Sequence, residues 1–186
     1  MSVLALRDAI LEGLSAELPE GTLVLASDGD LTIRGPQYRS IRGPAVVLGA
    51  IGFGDVSPSG ASARCTSLWL AAVVARHEDR AQGLMTRGDV AMVLAAQTMR
   101  TVAVAGRWGD AALSSPQNVR VQNLHSPELA ERALAYWAVT WGQLVGVPDT
   151  LPAALPDFKL LRTEYDLAPV DGTIDATDTI PMEATP

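Results

Sequence analysis

Two stretches of this chain carry apolar side chains on both faces of an extended backbone. In 66–76, with Cys65 just before it, Cys65, Ser67, Trp69, Ala71 and Val73 fall on one face, and Leu68, Leu70, Ala72 and Val74 on the other. A strand with this pattern cannot leave either face in water, so it has to be central in its sheet and covered on both sides. The second stretch, 135–147, places Trp137, Val139, Trp141, Gln143 and Val145 on one face. Tyr136, Ala138, Thr140 and Leu144 take the other. Trp137 and Trp141 must share a face, which we expect a helix to cover.

The rest of the chain supplies the covering layers. Val3, Leu6, Ile10, Leu14 and Leu18 recur at helical spacing, so the pattern predicts a helix over 2–18, stopped by Pro19 and Gly21. A second helical stretch runs over 78–103 and is broken near Arg87-Gly88, with Asp89 as a cap for its second part. Shorter strands are expected at 22–26, 31–34, 45–51 and 119–124, and Ser126 can cap a short turn. Glycine and proline mark 35–43 and 52–60 as loops, the second a flexible turn or an extended hairpin tip. Helices are too few for strict alternation with strands. The expected class is therefore α+β, a mixed or antiparallel sheet with two main helices packed on it.

That domain spans 1–147. From Pro148 the chain turns proline-rich and acidic, and 157–186 holds seven acids against Lys159 and Arg162. Such a segment buries little, so 148–186 reads as an extension. Its small apolar groups, such as Phe158 with Leu160 and Leu161, fit either an arm laid over its own domain or a neighbour, or a disordered end.

Charge and composition exclude several classes. The formal net charge of the 186 residues is −7, and the basic residues are scattered, so no nucleic-acid patch is expected. The bases are arginine apart from Lys159, a skew that either protein interfaces or a coding bias would produce. Cys65 reads as a small buried residue. The first residues lack the basic segment of a signal peptide, and no apolar run reaches membrane-spanning length. The expected product is soluble and made in the cytosol.

No catalytic constellation, metal site or cofactor is expected, and the chain does not read as an enzyme. His77-Glu78-Asp79 is the only local ligand cluster, and it falls at a strand end where charges meet solvent. His125 and Ser126 are adjacent in sequence, which does not give the geometry of a triad. Gly49-Ala50-Ile51-Gly52-Phe53-Gly54 follows a strand but lacks dinucleotide-loop spacing and a following helix. Trp108, in Gly106-Arg107-Trp108-Gly109, is either a binding anchor or a lid tucked onto the sheet.

Three stretches carry a family resemblance. They are the helix Leu6-Arg7-Asp8-Ala9-Ile10-Leu11-Glu12-Gly13-Leu14, the run from Val121-Gln122-Asn123-Leu124-His125-Ser126 to Leu129, and Tyr136-Trp137-Ala138-Val139-Thr140-Trp141-Gly142-Gln143. Together they resemble the small tail terminators of Mu-like phages and prophages. There an Asn-Leu-x-Ser turn precedes a strand of aromatic-x-Val-Thr-aromatic-x-Gln character. The resemblance covers 2–147 and leaves the acidic tail outside. It implies a hexameric ring at the head-proximal end of a phage tail, assembled in the host cytoplasm. Such a ring caps the tail tube protein, stops its growth and meets a neck, connector or stopper protein. Genomic DNA would pass the lumen without specific binding, and no membrane is involved. Arg34, Arg39, Arg42, Arg107 and Trp108 are the expected contacts with the next subunit or the tube. A different tail-completion or neck protein, or a small enzyme or ligand-binding module, are the rival readings.

Overall fold

The computed structural model describes residues 3–27, 41, 43–59, 62–76, 85–124, 126, 127, 129, 133–147, 160–165 and 176–181. In chain order the elements are α1 (Val3–Glu17), β1 (Leu23–Ala26), β2 (Ala45–Ser59), β3 (Ser62–Arg76), α2 (Arg87–Val104), β4 (Gln117–Asn123), β5 (Leu134–Val147), β6 (Leu160–Tyr165) and β7 (Ala176–Pro181). The chain divides into two compact units, Met1–Asp149 and Thr150–Pro186.

In the first unit β1 to β5 form one sheet in the order β1-β2-β3-β5-β4. β1 runs parallel to β2, and the other pairings are antiparallel, so the sheet is mixed and the fold α+β. The two apolar stretches lie side by side, β3 at the centre and β5 next to it, with Trp69 opposite Trp141. One face carries Val46, Leu48, Trp69, Val73, Val139 and Trp141, and both helices pack on it through Leu6, Ile10, Leu14, Leu94, Ala95 and Val102. On the other face Ala45, Val47, Ala72, Val74, Leu134 and Tyr136 pack with Ile41 and Leu129. The turn bringing Leu129 there is closed by Ser126, whose hydroxyl accepts from the Leu129 N–H at 3.3 Å.

Local chemistry sets the helix ends. α1 buries Leu6, Ile10 and Leu14, one turn apart, and Leu18 follows them into the core. Pro19 has no N–H to continue the ladder, and Gly21 at φ +85° turns the chain into β1. The cap of α2 is Thr86, not Asp89 as the sequence reading has it. The Thr86 hydroxyl accepts from the Asp89 N–H at 3.3 Å, and the Asp89 carboxylate accepts from the Thr86 N–H at 2.9 Å. That reciprocal pair is a capping box, in which the acid belongs one turn inside the helix. The expected helical residues 78–84 lie outside the described residues, as do the strand at 31–34 and His77 and His125.

Of the two readings of 52–60, a flexible turn or an extended hairpin tip, the structure has the hairpin: β2 continues to Ser59, paired with β3 up to Ser62. Glycine and Pro58 mark interruptions of that strand and not its end, because two register shifts absorb them. In the second unit β6 and β7 pair antiparallel, Leu161 opposite Ile180, where an arm or disordered end is expected. The threonines and isoleucine of 177–180 favour an extended backbone and can hold such a pair.

Two predictions follow from this packing. Trp141 is 2% exposed and Trp137 only half-buried. Trp141→Ala is expected to cost about 3–5 kcal/mol in denaturant unfolding, and Trp137→Ala clearly less. Equal losses would contradict the assigned packing. The capping box carries a pH signature. The side-chain and backbone hydrogen bonds from Thr86 hold the Asp89 carboxyl below its ordinary value of 3.8. The folded-state pKa being the lower one, the box stabilises fully above the ordinary value and loses its effect as pH falls through the folded value. Asp89→Asn should therefore lower the melting temperature at neutral pH, and the deficit should shrink on acidification. A deficit independent of pH would show that the carboxylate charge plays no part.

Candidate functional site

The hairpin of β2 and β3 has two 15-residue strands, and its two halves differ. Near the base, 45–49 of β2 are buried, Val46 and Leu48 on the helix side and Ala45 and Val47 on the other face, and β1 pairs with 45–48. Beyond Ala50 β1 no longer pairs, and β2 keeps β3 as its only strand partner among the described residues. Here the strand exposes Ile51, Phe53 and Val56, the last at 71%, and β3 adds Leu68 at 41%. Phe53 stands opposite Ser67 and Gly52 opposite Leu68. Large apolar side chains grouped in one uncovered arm mark an interaction surface.

The arm is irregular by construction. Register shifts occur between Ala50 and Gly52 and between Gly54 and Ser57, and Asp55 has φ +50°. Bulges of this kind bend a strand and increase its twist. A buried polar network anchors the arm at its base. The Trp69 indole N–H donates to the Ser67 hydroxyl at 2.8 Å, and that hydroxyl donates to the Gln143 carbonyl at 2.9 Å. The Gln143 amide donates to the Ser114 carbonyl at 2.9 Å, while the Leu144 N–H donates to the Ser114 hydroxyl at 3.0 Å. Ser67 and Gln143 are fully buried, so these bonds are expensive to break and the loop before β4 is fixed to the sheet. Burial also raises the pKa of the Cys65 thiol, leaving it neutral.

The residues expected to make contacts separate. Arg34, Arg39 and Arg42 lie outside the described residues. Arg107 is at the surface, paired with Asp110 at 3.5 Å, an exposed ion pair of small energetic weight. Of the two readings of Trp108, the structure has the inward one: the residue is 8% exposed and joins the helix-side core. It is therefore not offered at the surface of the subunit. Its ring lies against Gly13 of α1, where an added Cβ would clash with the ring. Its indole N–H has no acceptor among the described residues, so packing holds the ring. Between α1 and α2 an open groove of about 540 Å³ has Glu12 and Glu17 on one wall and Val104 on the other.

Sequence reasoning missed Ile51, Phe53 and Val56 as surface features. A signal was present: Ile51 and Phe53 alternate through the glycines at strand period, and Val56 falls out of phase by one residue, as a bulge requires. Among the described residues no group of three or more His, Cys, Asp or Glu is placed to hold a metal ion. No described helix is long and apolar enough to cross a membrane.

No family model matches the chain, and no curated protein matches it. Among solved structures it is similar to the sheath/tube terminator, in the extended state, of an extracellular contractile injection system determined by cryo-EM. The identity is 12% and the TM-score 0.32, over 84% of this chain and 60% of that one. The chain thus spans less than two thirds of that protein's length, and likeness at this level transfers neither fold nor role.

The Gly13 contact gives a direct test of how Trp108 is held. Gly13→Ala should destabilise the fold by about 1–3 kcal/mol through overpacking. In the Trp108→Ala background the same change should cost little, because the clash is gone. Additive losses in a double-mutant cycle would separate the two residues.

Proposed function

We propose that this chain is a non-catalytic assembly subunit of a phage tail, a tail terminator that caps the tube, stops its polymerisation and presents a surface to the neck. The observation that carries the reading is the distal half of the β2–β3 hairpin. It is a strand pair anchored by a buried network, with Ile51, Phe53, Val56 and Leu68 exposed and nothing described packed over them. A subunit that works by contact with identical or related subunits needs such an arm, and a site for small-molecule chemistry does not. The choice of terminator over another tail-completion or neck protein rests on the sequence resemblance of 121–129 and 137–143. On this reading the working form is a hexameric ring at the head-proximal end of the tail. Its partners are the tail tube protein and a neck or stopper protein, and the genome passes through the lumen without specific binding. The net charge of −7 supports that passage, since like charge keeps DNA from sticking.

The test replaces apolar contact area and leaves the core alone. Phe53→Asp with Val56→Asp should preserve the circular-dichroism spectrum and melting temperature, since both side chains are mostly in solvent. In the phage or prophage that encodes the chain, tails should become heterogeneous in length when seen by electron microscopy. Tails of normal, uniform length carrying the doubly substituted chain would refute a capping role for the hairpin.

A further inference from the structure

The sheet face turned away from the helices changes character along its length. Near Ala45, Val47, Ala72 and Val74 it packs with Ile41 and Leu129 and is buried. Further along β3, Leu68 is 41% exposed, Thr66 is half-buried and Arg64 is exposed. Leu113 is 40% exposed and lies beside the place that a Cβ on Gly146 would take. Gly52 and Gly142 stand level with Leu68 on its two sides. Glycine in a strand leaves room for another layer to approach closely. Two arginines frame this apolar stretch: Arg64, level with Gly146, and Arg120, level with Leu70 through Thr140. Both are exposed, and neither has an ion-pair partner among the described residues. The positions matched with them by register on this face carry no acid, and Asp55 sits in the bulge between Gly54 and Ser57. From Leu70 to Arg64 the patch is about 20 Å long.

The second unit carries the complementary chemistry. β6 and β7 form a sheet of two strands, six residues each. Two strands by themselves are marginal in water and need a further layer to pack on. The register alternates Leu161 with Ile180, Thr163 with Asp178 and Tyr165 with Ala176 onto one side of the pair. That side has large apolar residues at both ends and one acid between them. Its strands are about 20 Å long, the length of the patch. The charge is opposite as well, since 157–186 holds seven acids against Lys159 and Arg162.

We infer that this half of the face takes the β6–β7 hairpin of a second copy, with the acids of that hairpin meeting Arg64 and Arg120. This deepens the assembly reading above and rests on it for the ring. The subunit alone leaves Leu68 and Leu113 exposed, so the place is open to a neighbour. β5 ends at Val147, level with Ala63, at the Arg64 end of the patch. The residues 148–159 that follow can span up to about 40 Å, enough to reach the next subunit. The giving and receiving surfaces are different. Each copy can therefore receive the hairpin of one neighbour and lend its own to the next, as a head-to-tail ring requires. Acid facing arginine over an apolar centre also fixes which surface is chosen.

The experiment cross-links full-length chains with a short bismaleimide. Leu68→Cys and Ile180→Cys are made separately and mixed in equal amounts. The native Cys65 is buried and does not compete. The mixture should give a covalent dimer, and neither variant alone should. Phe53→Cys, equally exposed but on the helix side, should not link to Ile180→Cys. Adding Arg64→Glu and Arg120→Glu to the Leu68→Cys chain should cut the yield about tenfold without changing its melting temperature. No dimer from the mixture at any concentration would overturn the inference. So would a chain carrying both cysteines that links only within itself, because the hairpin would then lie on its own subunit. Equal linking from Phe53→Cys, or a yield indifferent to the arginines, would overturn it too. Failure of the capping role would appear separately, in tail length, with the cross-link still formed.

Discussion

The structure depends on the pairing of β3 with β5. All fourteen residues of β5 are matched one for one with Ala63–Arg76, without a register shift. A slip by one residue would move Trp69 and Trp141 to the face now held by Ala72 and Tyr136, so both apolar faces enforce the register. Trp69 and Trp141, directly opposite each other, add a cross-strand aromatic pair at its centre. β2 and β4 attach to the outsides of this pair, and both helices lie on its tryptophan face.

The helical layer is closed by a loop residue in a conformation it would not choose alone. Trp108 has φ +53°, between Gly106 and Gly109 at +65°. A left-handed tryptophan costs about 1–2 kcal/mol, whereas burial of an indole returns more than that. The glycines let the chain reverse tightly enough to aim the ring at α1, and Gly13 leaves room for it there. The same loop, through Ser114, holds Gln143 beneath the hairpin. The packing of α1 is thereby tied to the base of the arm.

The arm itself breaks the pattern of the core. A long exposed strand with Ile51, Phe53 and Val56 is an aggregation hazard, and the glycines, the bulges and Pro58 in the same segment are the usual means of restraining an edge. They interrupt a regular ladder and so disfavour indiscriminate pairing.

The sequence by itself determined the core. Period-two apolarity on both faces of 66–76 required a central, doubly covered strand, the alternation of 135–147 a strand with its tryptophans on one face, and the spacing of Leu6, Ile10 and Leu14 a helix with one buried face. These signals are legible because burial acts on each side chain separately and leaves a periodic trace. The tertiary structure alone decided the rest. Glycine and proline in 52–59 signalled an interruption locally, but pairing with β3 made the segment a strand, because ladder bonds outweigh a weak local preference. Asp89 looked like a cap in isolation, and only the observed helix start made Thr86 the cap. Trp108 was ambiguous for the same reason: whether an aromatic in a loop faces in or out depends on a space elsewhere, here the one left by a glycine 95 residues earlier in the chain. The candidate surface was the least legible part, since an exposed Phe53 and a buried one look alike in the sequence, and only the packed structure shows which it is.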